Sequence, residues 1–331
     1  MSKRPFNIPK YKGCAEKEYS TIKDNPSATF KTASHFINVE KNRYSNILAD
    51  DASRVQLAGE DDVTNYVNAN FVLADYIATQ APLAKSLVRS KETISDFWLM
   101  VWQQRSPIII MLTKLTEKKR TKADKYWPEK ESETFGDITV TSKKVSNLKN
   151  IIIRKFEIQC GTESRIIHHL QYNDWPDWGI PESTSSLRTL ISLVNFYRIS
   201  YNELDGRIIC HCSAGIGRTG TFIASHHIIS LIDAGMNPDD INIRDIVMQM
   251  RNHRSGMVQT EDQYKFIYQT INEWVQQKVN QLPSKKKRMS KTGSLCFLPS
   301  CSTTSIPTVD DRDMLTSSHN AFVDRLIVTN V

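Results

Sequence analysis

One stretch of this sequence decides its fold, residues 211–220, with the order His211-Cys212-Ser213-Ala214-Gly215-Ile216-Gly217-Arg218-Thr219-Gly220. Residues 207–210 before it are predicted to form a short buried strand, and residues 219–232 have the length and apolar spacing of a helix. We therefore predict a loop between a strand and a helix. Its backbone N–H groups can turn inward because Gly215 and Gly217 tolerate a positive φ, and they then form an anion-binding nest at the start of the helix.

Cys212 and Arg218 stand at the two ends of this loop. The planar guanidinium of Arg218 can donate to two phosphate oxygens at once. A helix N-terminus and a nearby cation lower the pKa of a cysteine from about 8.5 to roughly 3.5–7.5. We therefore predict that Cys212 is a thiolate beside a phosphate site. A buried structural cysteine in a tight turn is the alternative; a bare Cys-x5-Arg pattern does not exclude it, whereas the complete stretch favours the thiolate.

Composition places the chain among ordinary globular proteins. Its residues are 40% apolar and 24% charged, and a length of 331 residues suffices for one large catalytic domain or for two small ones. The order of the motifs described below favours one domain. The net charge of +7 is too small to indicate nucleic acid and favours anionic substrates, with a solvated surface as the alternative. No apolar run is long enough to span a bilayer, so we expect a soluble protein without stable membrane insertion.

Six cysteines show no disulfide-framework spacing: Cys14, Cys160, Cys210, Cys212, Cys296 and Cys301. A nucleophilic thiol needs a reducing compartment, which predicts a cytoplasmic location. The adjacent histidine pairs, at 168–169 and 226–227, point apart in a strand or helix, and no other ligand stands at metal spacing. We expect neither a metal nor another cofactor.

The chain predicts one α/β domain followed by a tail. Strands are predicted over 107–112, 151–156 and 164–170, and helices over 91–103, 186–200, 219–232, 241–251 and 261–277. After Gln281 the composition shifts to lysine, serine, threonine and proline. We predict a catalytic domain over residues 1–282 and a largely disordered tail over residues 283–331. The C-terminal Val331 would suit a PDZ-type groove, although such short endings also arise by chance.

Several motifs together resemble the cysteine-dependent protein tyrosine phosphatases, in the family's order along residues 15–280. Besides residues 211–220 they are Lys41-Asn42-Arg43-Tyr44, Asn65 to Asn70, Tyr76 to Pro82, Asp96 to Trp102, Glu117 with Lys122 before Tyr126-Trp127-Pro128, Trp175-Pro176-Asp177, and Gln259 to Tyr264. The resemblance implies a single α/β domain with a twisted mixed β-sheet flanked by helices. It also implies hydrolysis of phosphotyrosine in proteins through a cysteinyl-phosphate intermediate.

The resemblance also implies roles for the reacting groups. Cys212 would be the nucleophile, and Asp177 would act as general acid and then general base, with Asp174 as the alternative carboxylate. Thr219 would offer its hydroxyl to the sulfur, or serve only as a helix N-cap. Gln259 and Gln263 would orient the hydrolytic water. The phosphoryl group would lie against the backbone of Ser213, Ala214, Gly215, Ile216 and Gly217 and against Arg218.

Supporting roles follow by the same resemblance. His211 would bond to the loop backbone, and Trp175 would anchor the mobile acid loop. Glu117 would pair with Arg218, and Lys122 would approach the acid loop, although residues 117–120 also fit a solvated charged loop.

Substrate recognition is implied for Tyr44 and Asn46. Tyr44 stacked on a phosphotyrosine ring would make the pocket too deep for phosphoserine. The family usually has Asp at the position of Asn46, so the peptide contact there has lost a charge.

Two alternative functions remain at this point. A phosphotyrosine-binding pseudophosphatase would bind without turnover, and a phosphoinositide or RNA phosphatase would not depend on Tyr44. A narrower similarity, to the polydnavirus (bracovirus) phosphatases of parasitoid wasps, implies action in the host cell cytoplasm.

Overall fold

The computed structural model describes residues 15–58, 65–86, 91–176, 179–200 and 206–281. The predicted acid Asp177 and the predicted tail 283–331 with Val331 lie outside these residues. Two compact units divide the chain at 277/278, and the sheet and the candidate site belong to the first, residues 1–277. None of the helices in the described part of the chain is long and apolar enough to cross a membrane.

The helices, in chain order, are α1 Ala15–Ser20, α2 Lys31–Ser34, α3 Ile94–Gln103, α4 Ser185–Ser200, α5 Gly217–Asp233, α6 Ile243–His253 and α7 Glu261–Gln281, with 3₁₀ turns at Val39–Lys41 and Pro238–Asp240. The strands are β1 Arg54–Gln56, β2 Tyr66–Val72, β3 Tyr76–Thr79, β4 Ile108–Met111, β5 Thr116–Glu117, β6 Arg120–Thr121, β7 Ser132–Phe135, β8 Ile138–Leu148, β9 Ile151–Cys160, β10 Glu163–Tyr172 and β11 Ile208–His211. The predicted helices and strands all occur, with ends shifted by up to four residues.

A mixed sheet forms the centre of the fold and confirms the predicted class. Among the described residues its order is β1-β2-β3-β11-β4-β10-β9-β8-β7. Strands β3, β11, β4 and β10 run parallel, and their neighbours pair antiparallel. Ile209 lies between Ile77 and Ile109, so β11 is covered by strands on both sides. The continuous apolar run of β11 is typical of such a buried parallel strand.

Aromatic side chains fill one face of the sheet. Phe97 and Trp98 of α3 pack against Tyr126 and Phe156 with ring centroids 4.8–6.1 Å apart. The indole N–H of Trp98 donates to the carbonyl of Tyr126 at 2.7 Å, which satisfies the buried donor. This layer holds Tyr126 under the end of β11.

Helix α5 follows β11 and is buried along most of its length. It begins at Gly217, two residues before the predicted start, so Arg218 lies in its first turn. A side chain at Gly220 would place a Cβ 2.4 Å from the backbone nitrogen of Val258. The helix therefore packs backbone to backbone against the segment that precedes α7.

Replacing Gly220 with alanine tests this close packing. Helix propensity alone would stabilise the protein by about 1 kcal/mol. We expect the opposite, a loss of about 1–3 kcal/mol in the free energy of unfolding, because the methyl group overpacks the contact. Urea denaturation measures the change, and a stabilised variant would show that the contact is loose.

Candidate active site

The loop of residues 212–216, with the first turn of α5, forms the base of the candidate site. Gly215 has φ +73°, and an added Cβ would lie 2.1 Å from the carbonyl oxygen of Thr79 at the end of β3. The prediction was wrong for Gly217, which is not among the residues with a positive φ. Its missing side chain instead makes room for Gln259 and Gln263, whose amide atoms would lie 3.1 Å from a Cβ.

Arg254 fixes the loop from behind and is fully buried. Its guanidinium donates to the carbonyls of Gly215 and Ala214, both at 3.0 Å, and to the amide oxygens of Asn70 and Asn68 at 2.6 and 2.7 Å. In a trans peptide the N–H points opposite to the C=O. The two loop peptides that face Arg254 with their oxygens therefore present their N–H groups to the interior of the loop.

Sequence reasoning missed Arg254. Burial lowers its pKa to about 10, while Tyr66 and Cys212 act in the opposite direction. The guanidinium therefore stays charged at neutral pH behind the loop. The residues around Arg254 in the sequence do not distinguish it from a surface arginine. Its partners lie far away in the sequence, in β2 and in the loop of residues 212–216.

Cys212 combines burial with groups that favour its ionised form. Burial is the largest influence on its pKa and raises it, but hydrogen bonds from Thr219 and Gly215 and the charge of Arg218 outweigh it. The pKa of Cys212 therefore lies below its ordinary value, as the thiolate prediction requires. Burial instead raises the pKa of Cys210, two residues earlier on β11, well above its usual range.

Thr219 supplies the hydroxyl that faces this sulfur. Its Oγ1 is buried and has no nitrogen or oxygen partner among the described residues. The hydroxyl is close to the sulfur atoms of Cys210 and Cys212 and lowers the pKa of both, so it can donate to the Cys212 thiolate. The alternative role, a helix N-cap, does not apply, since Thr219 lies in the first turn of α5 and Ile216 is the N-cap.

Arg218 is held in place by Glu117 through both guanidinium nitrogens. Nη1 and Nη2 lie 2.6 and 2.9 Å from the two carboxylate oxygens, and they also donate to the carbonyls of Leu112 and Pro176. Burial raises the pKa of Glu117, but the bonds from Arg218 and Thr113 outweigh it and hold the pKa below its ordinary value. Such bidentate pairing fixes the plane of the guanidinium.

Residues 117–120 carry two expectations, that Glu117 pairs with Arg218 and that the run is a solvated charged loop. Each holds for a different part of the run. Glu117 is buried on the β5–β6 ribbon, whereas the residues from Lys118 to Arg120 are exposed. Lys118 and Lys119 turn the ribbon with φ of 45° and 63°. The solvated-loop alternative therefore describes the turn and not the carboxylate.

The acid loop is described up to Pro176 and from Gly179. Trp175 is buried, its indole N–H donates to the carbonyl of Gly179 at 3.1 Å, and its ring packs against Phe266. Since Pro176 accepts from Arg218, the residue before Asp177 contacts the arginine that is predicted to bind phosphate. The alternative carboxylate, Asp174, accepts hydrogen bonds from Asn150 and Ser186, which tie it to the start of α4.

Tyr44 forms one wall of the cleft. Its hydroxyl lies 2.8 Å from Oγ of Ser213, which donates to the carbonyl of Lys122 at 2.6 Å. The segment before Tyr44 is anchored by Asn42, a buried residue, and by Arg43, whose guanidinium pairs with Asp124 at 2.6 Å. Tyr44 is therefore fixed at the mouth of the loop.

Ten of the predicted site residues line one cleft of about 570 Å³. Lining residues include Tyr44, Asn46, Lys122, Cys212, Ser213, Ala214, Gly217, Arg218, Gln259 and Gln263. Gln263 is buried and its amide oxygen accepts from the backbone N–H of Gln259 at 2.9 Å, while the Gln259 side chain is exposed. Among the described residues no cluster of His, Cys, Asp and Glu could hold a metal.

His211 lies behind Cys212 and is fully buried. Its Nδ1 lies 3.0 Å from the carbonyl of Cys212, and its Nε2 lies 2.7 Å from the hydroxyl of Tyr126. Burial lowers the pKa of His211 to about 4, and the charge of Arg43 acts the same way. The imidazole is therefore neutral at pH 7 and holds the loop backbone.

The family model for protein-tyrosine phosphatases matches residues 38–273. The chain belongs to the protein-tyrosine phosphatase family. It is 41% identical to the receptor-type tyrosine-protein phosphatase eta of Gallus gallus, over 70% of this chain and 16% of that protein. It is 37% identical to tyrosine-protein phosphatase 2 of Dictyostelium discoideum, over 74% of this chain and 65% of that protein. A Lar-like tyrosine-protein phosphatase of Caenorhabditis elegans is 38% identical, over 82% of this chain and 12% of that protein. The chain thus spans less than two thirds of the length of these relatives.

The low pKa of Cys212 predicts how its alkylation by iodoacetamide depends on pH. The thiolate is the nucleophile, so the rate should fall with decreasing pH around a midpoint that lies below that of an ordinary cysteine. Thr219→Ala should move this fall to higher pH and slow alkylation about tenfold below the midpoint, the effect of one lost hydrogen bond. Thr221→Ala is the matched control, because this buried hydroxyl of the same helix bonds to the Gly217 carbonyl. Equal curves for both variants would contradict the role of Thr219.

Proposed function

We propose that this chain hydrolyses phosphotyrosine in proteins through a cysteinyl-phosphate intermediate. One observation carries the proposal: a cysteine with a lowered pKa lies at the base of a cleft, beside an arginine held bidentately by a buried glutamate. The cleft also has a tyrosine wall that suits an aromatic substrate.

The first step transfers the phosphoryl group to sulfur. Its transition state is loose and spreads charge over three equatorial oxygens. Arg218 and the loop N–H groups of residues 213–218 stabilise that charge, while the Cys212 thiolate forms an S–P bond and the tyrosyl O–P bond breaks. Asp177 donates its proton to the departing tyrosyl oxygen, which leaves as a neutral phenol.

The second step returns the enzyme to its starting state. Asp177, now a carboxylate, takes a proton from a water that Gln259 and Gln263 orient against phosphorus. The water oxygen forms the new P–O bond, the S–P bond breaks, and inorganic phosphate leaves. Thr219 stabilises the departing thiolate by a hydrogen bond. Lys122 approaches the acid loop that carries Asp177, and Trp175 anchors that loop.

Substrate choice follows from the wall of the cleft. Tyr44 packs on the phosphotyrosine ring, while Asn46 at the exposed edge accepts a hydrogen bond from the peptide backbone. The partners are tyrosine-phosphorylated proteins.

The finer proposals concern where the chain acts. A reactive thiolate needs reducing surroundings, which supports the cytoplasm. We propose the host cell cytoplasm if the chain is of polydnavirus origin, a similarity that rests on its compact loops and divergent tail. The PDZ-type partner at Val331 is a proposal from the last residues alone.

Turnover of p-nitrophenyl phosphate tests the activity. We expect hydrolysis by the wild type and its loss, by at least about 10³-fold, in Cys212→Ser, which removes the nucleophile. Cys160→Ser is the control, because this free thiol lies on β9 and does not line the cleft.

A trapping experiment separates an enzyme from a binding module. Asp177→Ala should retain tyrosine-phosphorylated proteins from a cell extract, since the leaving oxygen no longer receives a proton. A wild type that binds phosphotyrosine peptides without hydrolysing them would establish the pseudophosphatase alternative instead.

Tyr44→Ala tests the substrate class. We expect kcat/KM for a phosphotyrosine peptide to fall by about tenfold, the effect of one lost aromatic stacking contact. Activity towards a phosphoinositide that exceeds the peptide activity and ignores this substitution would contradict the assignment.

A further inference from the structure

Four side chains form a hydrogen-bonded line from the backbone of Cys212 into the sheet. His211 contacts Tyr126 at 2.7 Å, and Tyr126 contacts Nε2 of His169 at 2.8 Å. Nδ1 of His169 lies 3.3 Å from Nη1 of Arg154 on β9. His211, Tyr126 and His169 are fully buried, so water does not replace these bonds. We call this line the Arg154–His211 chain.

The loop end of the chain sets the tautomer of His211. Nδ1 faces the carbonyl of Cys212, which can only accept, so Nδ1 must carry the proton. Burial keeps the imidazole neutral, with a pKa of about 4, and Nε2 is then an acceptor. The hydroxyl of Tyr126 must therefore donate its single proton to His211.

The contacts of Arg154, at the other end of the chain, lead independently to the same direction of the Tyr126 hydroxyl. A guanidinium can only donate, so Nδ1 of His169 accepts from Arg154 and carries no proton. Burial lowers the pKa of His169 well below its usual value, with Arg154 acting the same way, so the ring is neutral and Nε2 bears its proton. Nε2 donates to Tyr126, whose oxygen accepts here and donates to His211.

We propose that Arg154 and His169 are positioning residues of this active site, which set the direction of the Tyr126 hydroxyl and thereby the His211 tautomer that holds the Cys212 peptide. The effect on turnover rests on the proposed function; the tautomer does not. Neither residue lines the cleft.

The surroundings of Arg154 suit this role. Its guanidinium lies 4.4 Å from the ring centroid of Trp127 and donates to the amide oxygen of Gln171 at 2.9 Å. These groups are neutral acceptors that leave its charge and donor character unchanged. The arginine is therefore held by Trp127 and Gln171 while its Nη1 reaches His169.

A second branch reaches the other end of the site. The amide nitrogen of Gln171 donates to the carbonyl of Thr113 at 3.2 Å, and the hydroxyl of Thr113 donates to Glu117 at 2.7 Å. Glu117 in turn pairs with Arg218. Arg154 is thus linked through side chains to both Cys212 and Arg218.

Losing Arg154 would remove the constraint on the chain. His169 could then carry its proton on Nδ1, and the Tyr126 hydroxyl could donate to His169 instead of to His211. His211 would move its proton to Nε2, which would place the Nδ1 lone pair 3.0 Å from the Cys212 carbonyl oxygen. The two lone pairs repel, so the loop peptide that carries the nucleophile would shift.

The ¹⁵N chemical shifts of the His211 ring, in the intact wild-type protein at pH 7, test the proposal without any variant. We expect an Nδ1 resonance of the protonated type and an Nε2 resonance of the unprotonated type. A protonated Nε2, alone or together with Nδ1, would overturn the proposal. Since this measurement does not depend on turnover, it stands even if the chain proves inactive.

Arg154→Leu tests the consequence, with Lys155→Leu as the matched control. Lys155 is the next residue of β9, carries the same charge and points to the opposite face of the sheet. In Arg154→Leu we expect mixed His211 tautomers and kcat for p-nitrophenyl phosphate about tenfold lower, with KM within about twofold. The control should stay within about twofold in both. An Arg154→Leu protein that keeps the wild-type tautomer and kcat would refute the proposal.

A double-mutant cycle with Tyr126→Phe distinguishes positioning through the chain from a general structural effect. In the Tyr126→Phe background the hydroxyl is absent, so Arg154→Leu should lower kcat by less than about twofold. A repeat of the full tenfold loss in that background would show that Arg154 acts by another route and would overturn the proposal.

Discussion

The two hydrogen bonds from the buried Arg254 guanidinium to carbonyls of the loop at residues 212–216 are the interaction on which the rest of the site depends. A loop that turns its N–H groups inward must turn its carbonyls outward, and buried carbonyls need donors. Arg254 supplies them together with a charge. Gly215 makes this geometry accessible, because its φ and its contact with Thr79 exclude a side chain. The central sheet contributes by placing β3 and β11 side by side.

Burial and the neighbouring polar groups shift the pKa of Cys212 in opposite directions. Burial disfavours its thiolate more than any single partner favours it, and the sum of hydrogen bonds and charges reverses the balance. Glu117 is similar, since burial opposes its ionised form and Arg218 restores it. Each of the two ions therefore needs its neighbours to stay in position. The aromatic layer contributes by packing around Tyr126, which contacts His211 beside Cys212.

The sequence predicted the site where function depends on contiguous residues. The run from His211 to Gly220 indicated the loop, a cysteine with a lowered pKa and the arginine beside it, because consecutive residues share one turn. The class of fold followed from the apolar strands and helices. Residues whose role arises only from tertiary contacts were not predictable: Arg254 and Arg154 resemble surface arginines in the sequence. Gly217 shows a third case, since a Cβ there would lie 3.1 Å from the side chains of Gln259 and Gln263, whereas its own φ is not positive.

Cys210 and Cys212 are two thiols of one strand end with opposite character. Burial raises the pKa of the first, which is fully enclosed, whereas the pKa of the second is lowered and its side chain lines the cleft. An electrophile of modest reactivity that enters the cleft will discriminate between them on the basis of ionisation alone. A covalent inhibitor directed at the cleft should therefore react with Cys212 and leave Cys210 unmodified.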